Sequence, residues 1–285
     1  MTYVEERAPA RSKGIGRSIA LALCEKFRMP VALVGRDAKS LADASAECAA
    51  FVPRDHVMTF AFDVRDNARM KKAVDETAAR FGAITVLVCS AGINRRRWSV
   101  APDGKKFADP KLWQELMDIN VSSTMCAFLA TGAPARTNAP TAATGYALPH
   151  MLRGTTSEGV APCVLFVGSR IVRTGGAPGQ QSYAASKMAL AGFSQSIHYE
   201  VRAHGIRTCC LNVGIVATDL GSRGPSGGSF GIAKTSMLIQ PSDVSAACVN
   251  IVGSPAYVNV TAIDMSGTSP EFLSNDGESL RMTKL

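Results

Sequence analysis

Residues 163–204 read CVLFVGSRIVRTGGAPGQQSYAASKMALAGFSQSIHYEVRAH, and this stretch decides the fold. The apolar run that ends at Val167 predicts a buried β-strand, and Ser169 follows at its carboxyl end. The pattern from Tyr183 to about His204 predicts a helix. A buried strand followed by a helix is the unit from which parallel α/β sheets are built.

Comparable apolar runs recur along the chain, at Val31 to Val34, Val57 to Phe62, Ile84 to Ser90, Val164 to Val167, Thr208 to Asn212 and Val260 to Ile263. Helix-like stretches separate them. Because crossovers between parallel strands are right-handed, the series predicts an α/β fold with a Rossmann-type doubly wound parallel sheet and helices on both faces. We expect a single domain over residues 1–285, with an inserted loop at 132–145 and a tail at 268–285.

The composition excludes several classes of protein. With 285 residues, 46% hydrophobic and 19% charged, the chain is neither disordered nor collagen-like. Its 8 cysteines include no C-x-x-C pair, which predicts reduced core thiols and no metal site. No apolar stretch approaches the roughly 18 residues of a membrane span, so we expect a cytoplasmic protein. The final Thr283-Lys284-Leu285 is either a peroxisome-type import signal or a chance match.

Tyr183 and Lys187 lie four residues apart in the predicted helix. This spacing places them on one face about 6 Å apart, where an ammonium lowers the pKa of a phenol below its usual value of about 10. Ser169 lies 14 positions before Tyr183, at the end of a predicted strand. Asn120 lies in the helical segment LWQELMDINVSS, although Asn is a mediocre helix former.

Together with Gly14-Ile15-Gly16, Asp63-Val64 and Ala91-Gly92, this order of residues resembles the short-chain dehydrogenase/reductase family, including its 3-oxoacyl reductases. The resemblance covers about residues 8–267. It implies an oxidoreductase that transfers hydride between a nicotinamide cofactor and a carbonyl or its secondary alcohol.

The resemblance also implies roles for four residues. Tyr183 would be the general acid in carbonyl reduction and the base in the reverse direction, and Ser169 would hydrogen-bond the same substrate oxygen. Lys187 would lower the phenol pKa and bind the nicotinamide ribose. Asn120 would hold a water that links Lys187 to solvent.

A larger set of residues is implied for cofactor binding. It comprises Ser12, Lys13, Gly14, Ile15, Gly16, Arg36, Asp63, Val64, Ser90, Ala91, Gly92, Tyr183, Lys187, Gly214, Ile215 and Thr218. A member selective for NAD would carry an acid at the end of the second strand, where this chain has Gly35-Arg36. Arg36 and Lys13 favour NADPH/NADP+ over NADH/NAD+, unless both are simply solvated.

The chain departs from the family pattern near its N-terminus. Ala10 replaces the first glycine of the turn, and Tyr3 to Ala8 read YVEERA where an apolar first strand is expected. Either the first strand is distorted, or this N-terminus is not the one with which the fold evolved. A second hypothesis follows: a catalytically impaired relative, acting as a binding or scaffold protein with a weakened dinucleotide loop. Two milder departures are Ser90 for an Asn and Val213 for a Pro.

The net charge of +8 is concentrated in two segments. Residues 1–36 carry 7 Lys+Arg and 3 Asp+Glu, and residues 94–111 carry 6 and 2. Arg95-Arg96-Arg97-Trp98 would lie at the mouth of the cleft, as a solvated rim or a docking site for the phosphates of CoA or an acyl carrier. That position argues against nucleic acid. Gly221 to Gly231 is either a lid or a plain loop.

We therefore expect a small-molecule carbonyl or alcohol substrate, anionic or linked to CoA or an acyl carrier. Members of the family assemble through the helices that carry the Asn and the Tyr-Lys pair. By resemblance we expect a homodimer or homotetramer.

Overall fold

A computed structural model describes residues 2–5, 14–95, 109–128, 147–152, 159–176, 179–218 and 238–267; for residues 2–5 only the backbone is described. The strands are β1 (Thr2–Glu5), β2 (Val31–Gly35), β3 (Val57–Ala61), β4 (Val86–Cys89), β5 (Cys163–Val167), β6 (Arg207–Val213) and β7 (Ala262–Met265). The helices are α1 (Ile15–Phe27), α2 (Ala38–Cys48), α3 (Asn67–Phe81), α4 (Pro110–Met117), α5 (Ser123–Phe128), α6 (Leu148–Leu152), α7 (Ile171–Thr174), α8 (Gln181–Val201) and α9 (Pro241–Val252). A π-helical turn, Asp118–Ser122, joins α4 to α5, and 3-10 turns span Arg54–His56 and Arg202–His204.

The strands form one parallel sheet in the order β3-β2-β1-β4-β5-β6-β7. This arrangement confirms the predicted doubly wound α/β fold. The order reverses between β1 and β4, and in such sheets ligands bind in the crevice at the carboxyl ends of the strands flanking this point. The predicted inserted loop, the Gly221 to Gly231 segment and the tail at 268–285 lie outside the described residues.

The first strand occupies the centre of the sheet. Val4 pairs with Leu33 of β2 on one side and with Val88 of β4 on the other. Ladder hydrogen bonds use backbone N–H and C=O groups, so they form regardless of which side chains the strand carries. A distorted first strand, one of the two alternatives that the sequence left open, is not seen in the backbone pairing.

Apolar side chains fill a layer on each face of the sheet. In β5, Val164 and Phe166 belong to the layer covered by α3, α4, α5 and α8. Leu165 and Val167 belong to the opposite layer, covered by α1, α2 and α9. This alternation follows from the period of two in a β-strand, and it makes both faces of the strand apolar.

The cysteines contribute to this core. All 8 are free thiols, and only Cys126 is not fully buried. Burial raises the pKa of Cys163 to about 12, so the group stays a neutral thiol at physiological pH. Seven of the eight cysteines thus lie in the core, as the sequence predicted. In the described ranges, none of the helices combines the length and the apolar character that a bilayer crossing needs.

Arg207, the first residue of β6, is a buried cation with 3% of its surface exposed. Its guanidinium donates to the backbone carbonyls of Ile251 (2.8 Å), Val252 (2.9 Å), Ser254 (3.0 Å) and Ala161 (2.9 Å). Three of these acceptors lie at or just past the C-terminus of α9, where the helix dipole favours a positive charge. Arg207 therefore joins α9 to the sheet.

Replacing Arg207 by Met keeps much of the side-chain volume but removes all four hydrogen bonds. We expect the free energy of unfolding, measured by urea denaturation, to fall by about 3 kcal/mol, because buried carbonyls lose their donor. The control is Arg202→Met, at an exposed arginine that lies over the Tyr199 ring. This substitution should lower the free energy of unfolding by less than about 0.5 kcal/mol. Similar small losses in both variants would refute the structural role of Arg207.

Candidate active site

The structure brings the four predicted catalytic residues together at the carboxyl edge of the sheet. Ser169 follows β5 by two residues, and Tyr183 and Lys187 lie in the first two turns of α8. Asn120 lies in the π-helical turn between α4 and α5. Its side chain reaches the loop that follows β4. Neighbouring parallel strands present their ends at the same edge, so residues distant in sequence meet there.

Tyr183 is 9% exposed, and its phenol lies next to the Ser169 side chain. Burial raises the pKa of Tyr183 above its ordinary value, and the Ser169 side chain lowers it by a smaller amount. The sequence-based expectation of a lowered phenol pKa is therefore wrong for this structure. Helical spacing indicates where a lysine lies, but it does not show how fully the phenol is removed from water.

Lys187 is buried and lies beside the tyrosine. Its Nζ is 6.0 Å from the centre of the Tyr183 ring and donates a 2.8 Å hydrogen bond to the backbone carbonyl of Val167. Val167 is the last residue of β5, two positions before Ser169. One lysine thus contacts the strand that leads to the serine and lies near the ring of the tyrosine.

Asn120 ties the loop after β4 to α8. Its Oδ1 accepts from Ile93 N (2.8 Å), and its Nδ2 donates to Ile93 O (3.0 Å) and to Ser186 Oγ (2.9 Å). Ser186 in turn donates to the carbonyl of Tyr183 (2.8 Å). Sequence reasoning missed Ile93 and Ser186, although Ser186 stands inside the Tyr183 to Lys187 motif and Ile93 directly follows Gly92.

The loop after β4 approaches this group closely at Gly92. A Cβ added there would lie 3.4 Å from both Asn120 Oδ1 and Lys187 Nζ. A larger side chain at position 92 would therefore press on both polar groups. Ala91 is buried in the core beside it, and Ser90 is half-buried.

The N-terminus of α1 lies at the sheet edge where the Gly-rich turn was predicted. Gly14 caps the helix without a side chain, and Gly16 is buried in the first turn, next to Ile15. The first N–H groups of a helix have no acceptor within the helix and attract anions. These features fit the pyrophosphate of a dinucleotide. Ser12 and Lys13, like Pro9 and Ala10, lie outside the described residues.

The end of β2 carries the predicted determinant of cofactor choice. Arg36 is exposed directly after Gly35, the last residue of the strand. The only acid nearby in sequence is Asp37, and its Oδ1 accepts a 2.6 Å hydrogen bond from Ser40 N. Asp37 is therefore engaged as the N-cap of α2.

Asp63 and Val64 follow β3, which ends at Ala61. The carboxylate of Asp63 binds Arg65 at both oxygens, with Nε to Oδ1 at 2.9 Å and Nη2 to Oδ2 at 2.8 Å. Val64 is buried in the core. The pair with Arg65 gives the carboxylate a defined orientation.

The segment after β6 contains the last predicted cofactor residues. Gly214 N donates to Met265 O (2.8 Å), and a Cβ at Gly214 would lie 3.1 Å from that oxygen. Ile215 and Thr218 are half-exposed, and Thr218 N donates to Val216 O (2.7 Å). Val213, which stands where a Pro was expected, accepts from Arg170 N through its carbonyl (2.9 Å). This bond joins the segment to the residue after Ser169.

Arg95 is the one residue of the predicted basic rim that the structure describes. Its Nε lies 3.1 Å from Glu115 Oε2 in α4, so its charge is partly compensated. Arg96, Arg97 and Trp98 lie outside the described residues.

Comparisons with known proteins agree with this geometry. The family model for short chain dehydrogenases matches residues 10–133 and 136–226. An uncharacterized oxidoreductase of Staphylococcus saprophyticus is 26% identical over 257 residues, which cover 88% of this chain and 92% of that protein. The 3-oxoacyl-(acyl-carrier-protein) reductase of Salmonella typhimurium is 28% identical over 213 residues, covering 73% of this chain and 72% of the reductase.

Solved structures with the same fold include two cofactor complexes. A 3-ketoacyl-(acyl-carrier-protein) reductase of Brucella melitensis complexed with NADH has a TM-score of 0.69 at 19% identity, over 94% of this chain and 96% of the other. An alcohol dehydrogenase of Thermococcus sibiricus complexed with 5-hydroxy-NADP likewise has a TM-score of 0.69 at 19% identity, over 94% of this chain and 96% of the other. The family match spans more than half of the sequence, and the chain therefore belongs to the short-chain dehydrogenase/reductase family of NAD(P)(H)-dependent oxidoreductases.

Proposed function

We propose that the chain reduces a carbonyl to a secondary alcohol with NADPH, or catalyses the reverse reaction, with Tyr183 as the general acid and base. The observation that carries the proposal is the juxtaposition of the buried Tyr183 with Ser169, whose side chain lowers the phenol pKa, and with Lys187 Nζ, 6.0 Å from the tyrosine ring. A protonated phenol and a second hydroxyl are thereby available to one substrate oxygen. A cation near the phenol stabilises the phenolate that remains after proton transfer.

In the proposed mechanism the bound nicotinamide supplies the hydride. Tyr183 transfers its phenolic proton to the carbonyl oxygen as negative charge develops there, and the Ser169 hydroxyl hydrogen-bonds that oxygen and orients it. Lys187 stabilises the resulting phenolate. Asn120 holds the loop after β4 against α8 with its amide, so the expected water would be bound by its backbone carbonyl rather than by its side chain.

The cofactor would lie across the edge between β1 and β4. We propose that it contacts the N-terminus of α1, the ends of β2, β3, β4 and β6, and the pair formed by Tyr183 and Lys187. Besides that pair, the proposed contact residues are Ser12, Lys13, Gly14, Ile15, Gly16, Arg36, Asp63, Val64, Ser90, Ala91, Gly92, Gly214, Ile215 and Thr218. Gly14, the N-cap of α1, has no side chain to occupy the first N–H groups of the helix, and this and the close approach at Gly92 support the placement.

A panel of three ketones tests the proposal: acetoacetyl-CoA, ethyl acetoacetate and cyclohexanone, each mixed with NADPH and followed by the loss of nicotinamide absorbance. Turnover of at least one ketone is expected. A rate for acetoacetyl-CoA well above that for ethyl acetoacetate would support a 3-oxoacyl thioester substrate, for which the similarity to the Salmonella reductase is the present support. No turnover with either NADPH or NADH would refute the proposed function.

Preference for NADPH is proposed from Arg36, because Asp37 is engaged by the N-terminus of α2. In Arg36→Leu, kcat/KM with NADPH should fall about 10- to 50-fold, since a charge-assisted contact to the 2′-phosphate is lost. With NADH it should change less than about twofold, because that cofactor lacks the phosphate. Arg54→Leu, at an exposed arginine before β3, is the control. Equal losses with both cofactors would exclude this role for Arg36.

We also propose a homodimer or homotetramer. Two neighbouring helices carry exposed apolar side chains, Trp113 in α4 (40% exposed) and Met188 in α8 (44%). A second copy of the chain would cover them. Sedimentation of the intact chain should give a multiple of its 30.0 kDa mass.

A further inference from the structure

Two side chains from different elements meet on Asp264 in β7. Arg173 of α7 donates from Nε to Asp264 Oδ2 (3.2 Å), and Asn212 of β6 donates from Nδ2 to Asp264 Oδ1 (2.9 Å). We call Arg173, Asp264 and Asn212 the Asp264 clasp. It joins the short helix that follows Ser169 to the strand next to β6.

The inner end of the clasp packs against the residue before Ser169. Asn212 is 2% exposed, and a Cβ added to Gly168 would lie 2.7 Å from Asn212 Oδ1 and 2.8 Å from Cys210 Sγ. Gly168 N donates to Leu211 O (2.8 Å), which brings the two strand ends together at this point. The backbone at Gly168 therefore rests on the amide oxygen of Asn212.

Asp264 determines which end of the Asn212 amide faces Gly168. A carboxylate only accepts hydrogen bonds, so it selects the NH2 group of Asn212 and leaves the oxygen directed toward Gly168 and Cys210. Reversal of the amide would place the larger NH2 group, with its hydrogens, in that contact. Arg173 in turn pairs with the carboxylate of Asp264.

Ser169 lies between the two ends of the clasp. On one side it follows Gly168, and on the other it precedes α7, with Ser169 Oγ accepting from Ile171 N (3.3 Å). The Arg173 to Asp264 ion pair is about half-exposed, and such pairs contribute little to stability. Its effect is therefore expected on the position of Ser169 rather than on unfolding.

We infer that the Asp264 clasp positions Ser169 for its hydrogen bonds to Tyr183 and to the substrate oxygen. The inference rests on the proposed carbonyl reduction. Arg173, Asp264 and Asn212 are positioning residues, because they act on the reaction through Ser169. Small displacements of a reacting group have large effects on rate, so loss of the clasp lowers kcat while cofactor binding is retained.

A double-mutant cycle between Asp264 and Ser169 tests the inference with NADPH and ethyl acetoacetate. In the wild-type background, Asp264→Asn should lower kcat by about tenfold, with the KM for NADPH changed less than about twofold. In the Ser169→Ala background the same substitution should change kcat less than about twofold, because the hydroxyl that the clasp positions is already gone. Equal losses in the two backgrounds, or a loss confined to the KM for NADPH, would overturn the inference.

Two further variants separate positioning from a general effect of surface charge. Arg173→Met should reproduce part of the kcat loss of Asp264→Asn, since it removes one partner of the same carboxylate. Arg80→Met breaks an exposed ion pair with Asp55 (3.1 Å) far from the site and should leave kcat unchanged. Thermal unfolding of all variants checks that the fold is retained. A kcat loss of the same size in Arg80→Met would overturn the inference.

A readout without turnover distinguishes failure of this inference from failure of the proposed function. In protein labelled with 13C at the tyrosine ring, the Tyr183 signal is identified by its loss in Tyr183→Phe. It should shift in Ser169→Ala and shift in the same direction in Asp264→Asn. A protein that turns over no ketone but shows both shifts retains the clasp and loses only the proposed reaction. A Tyr183 signal that Asp264→Asn leaves unmoved would overturn the inference.

Discussion

Replacing Tyr183 by Phe is expected to lower kcat for ketone reduction by about a thousandfold, because general acid catalysis contributes factors of this size. The ring fills the same space, and only the phenolic hydroxyl, with its interaction with Ser169, is lost. Affinity for NADPH should change little. Steady-state kinetics with the best ketone of the panel, together with a cofactor titration, measure both quantities.

Tyr199→Phe is the matched control for this prediction. Tyr199 also lies in α8, but it is 67% exposed and stacks against Arg202 rather than near Lys187. Its hydroxyl should be dispensable for turnover. If Tyr183→Phe retained more than about a tenth of the wild-type kcat, another group would have to supply the proton.

Replacing Lys187 by Met is expected to lower kcat by about a hundredfold, since the charge that we propose stabilises the phenolate is removed from a buried site. The hydrogen bond to Val167 O is lost as well, so some loss of stability should accompany the effect. Lys72→Met, at an exposed lysine of α3, is the control and should leave kcat unchanged.

The pH profile of Lys187→Met tests independently in which direction Lys187 shifts the pKa of Tyr183. Burial already raises the pKa of Tyr183, so the phenol is protonated at neutral pH, which ketone reduction requires. Alcohol oxidation needs the phenolate, and its rate should rise as the pH approaches the phenol pKa. Without the Lys187 ammonium that pKa should rise further, so the rising limb of oxidation should move to higher pH. A limb that stays in place or moves to lower pH would contradict the assigned role of Lys187.

Features that depend on the local spacing of residues could be predicted from the sequence alone. The apolar run before Ser169 and the four-residue step from Tyr183 to Lys187 follow directly from strand and helix periodicity, and the structure places these residues at one edge of the sheet. The first strand was harder to predict. The adjacent Glu5 and Glu6 argue against a central strand, but backbone pairing with β2 and β4 places Thr2–Glu5 there.

Other features depend on contacts between residues far apart in the chain. The direction of the Tyr183 pKa shift follows from burial by several elements, which the motif alone does not show. The Asp264 clasp joins residues 52 and 91 positions apart, and Asn120 meets Ser186 across 66 positions. No periodicity links such partners. The pairing of Arg95 with Glu115 likewise depends on how α4 packs near the β4 loop.

The central claim is that the wild-type chain binds NADPH and delivers its hydride to a ketone. Titration of NADPH with the protein, followed by cofactor fluorescence, tests this most directly when the complex is then mixed with the ketones of the panel. We predict saturable binding in the micromolar range, with loss of the fluorescence when a ketone is added. No saturable signal up to millimolar NADPH would contradict the account and favour the alternative of a binding or scaffold protein with a weakened dinucleotide loop.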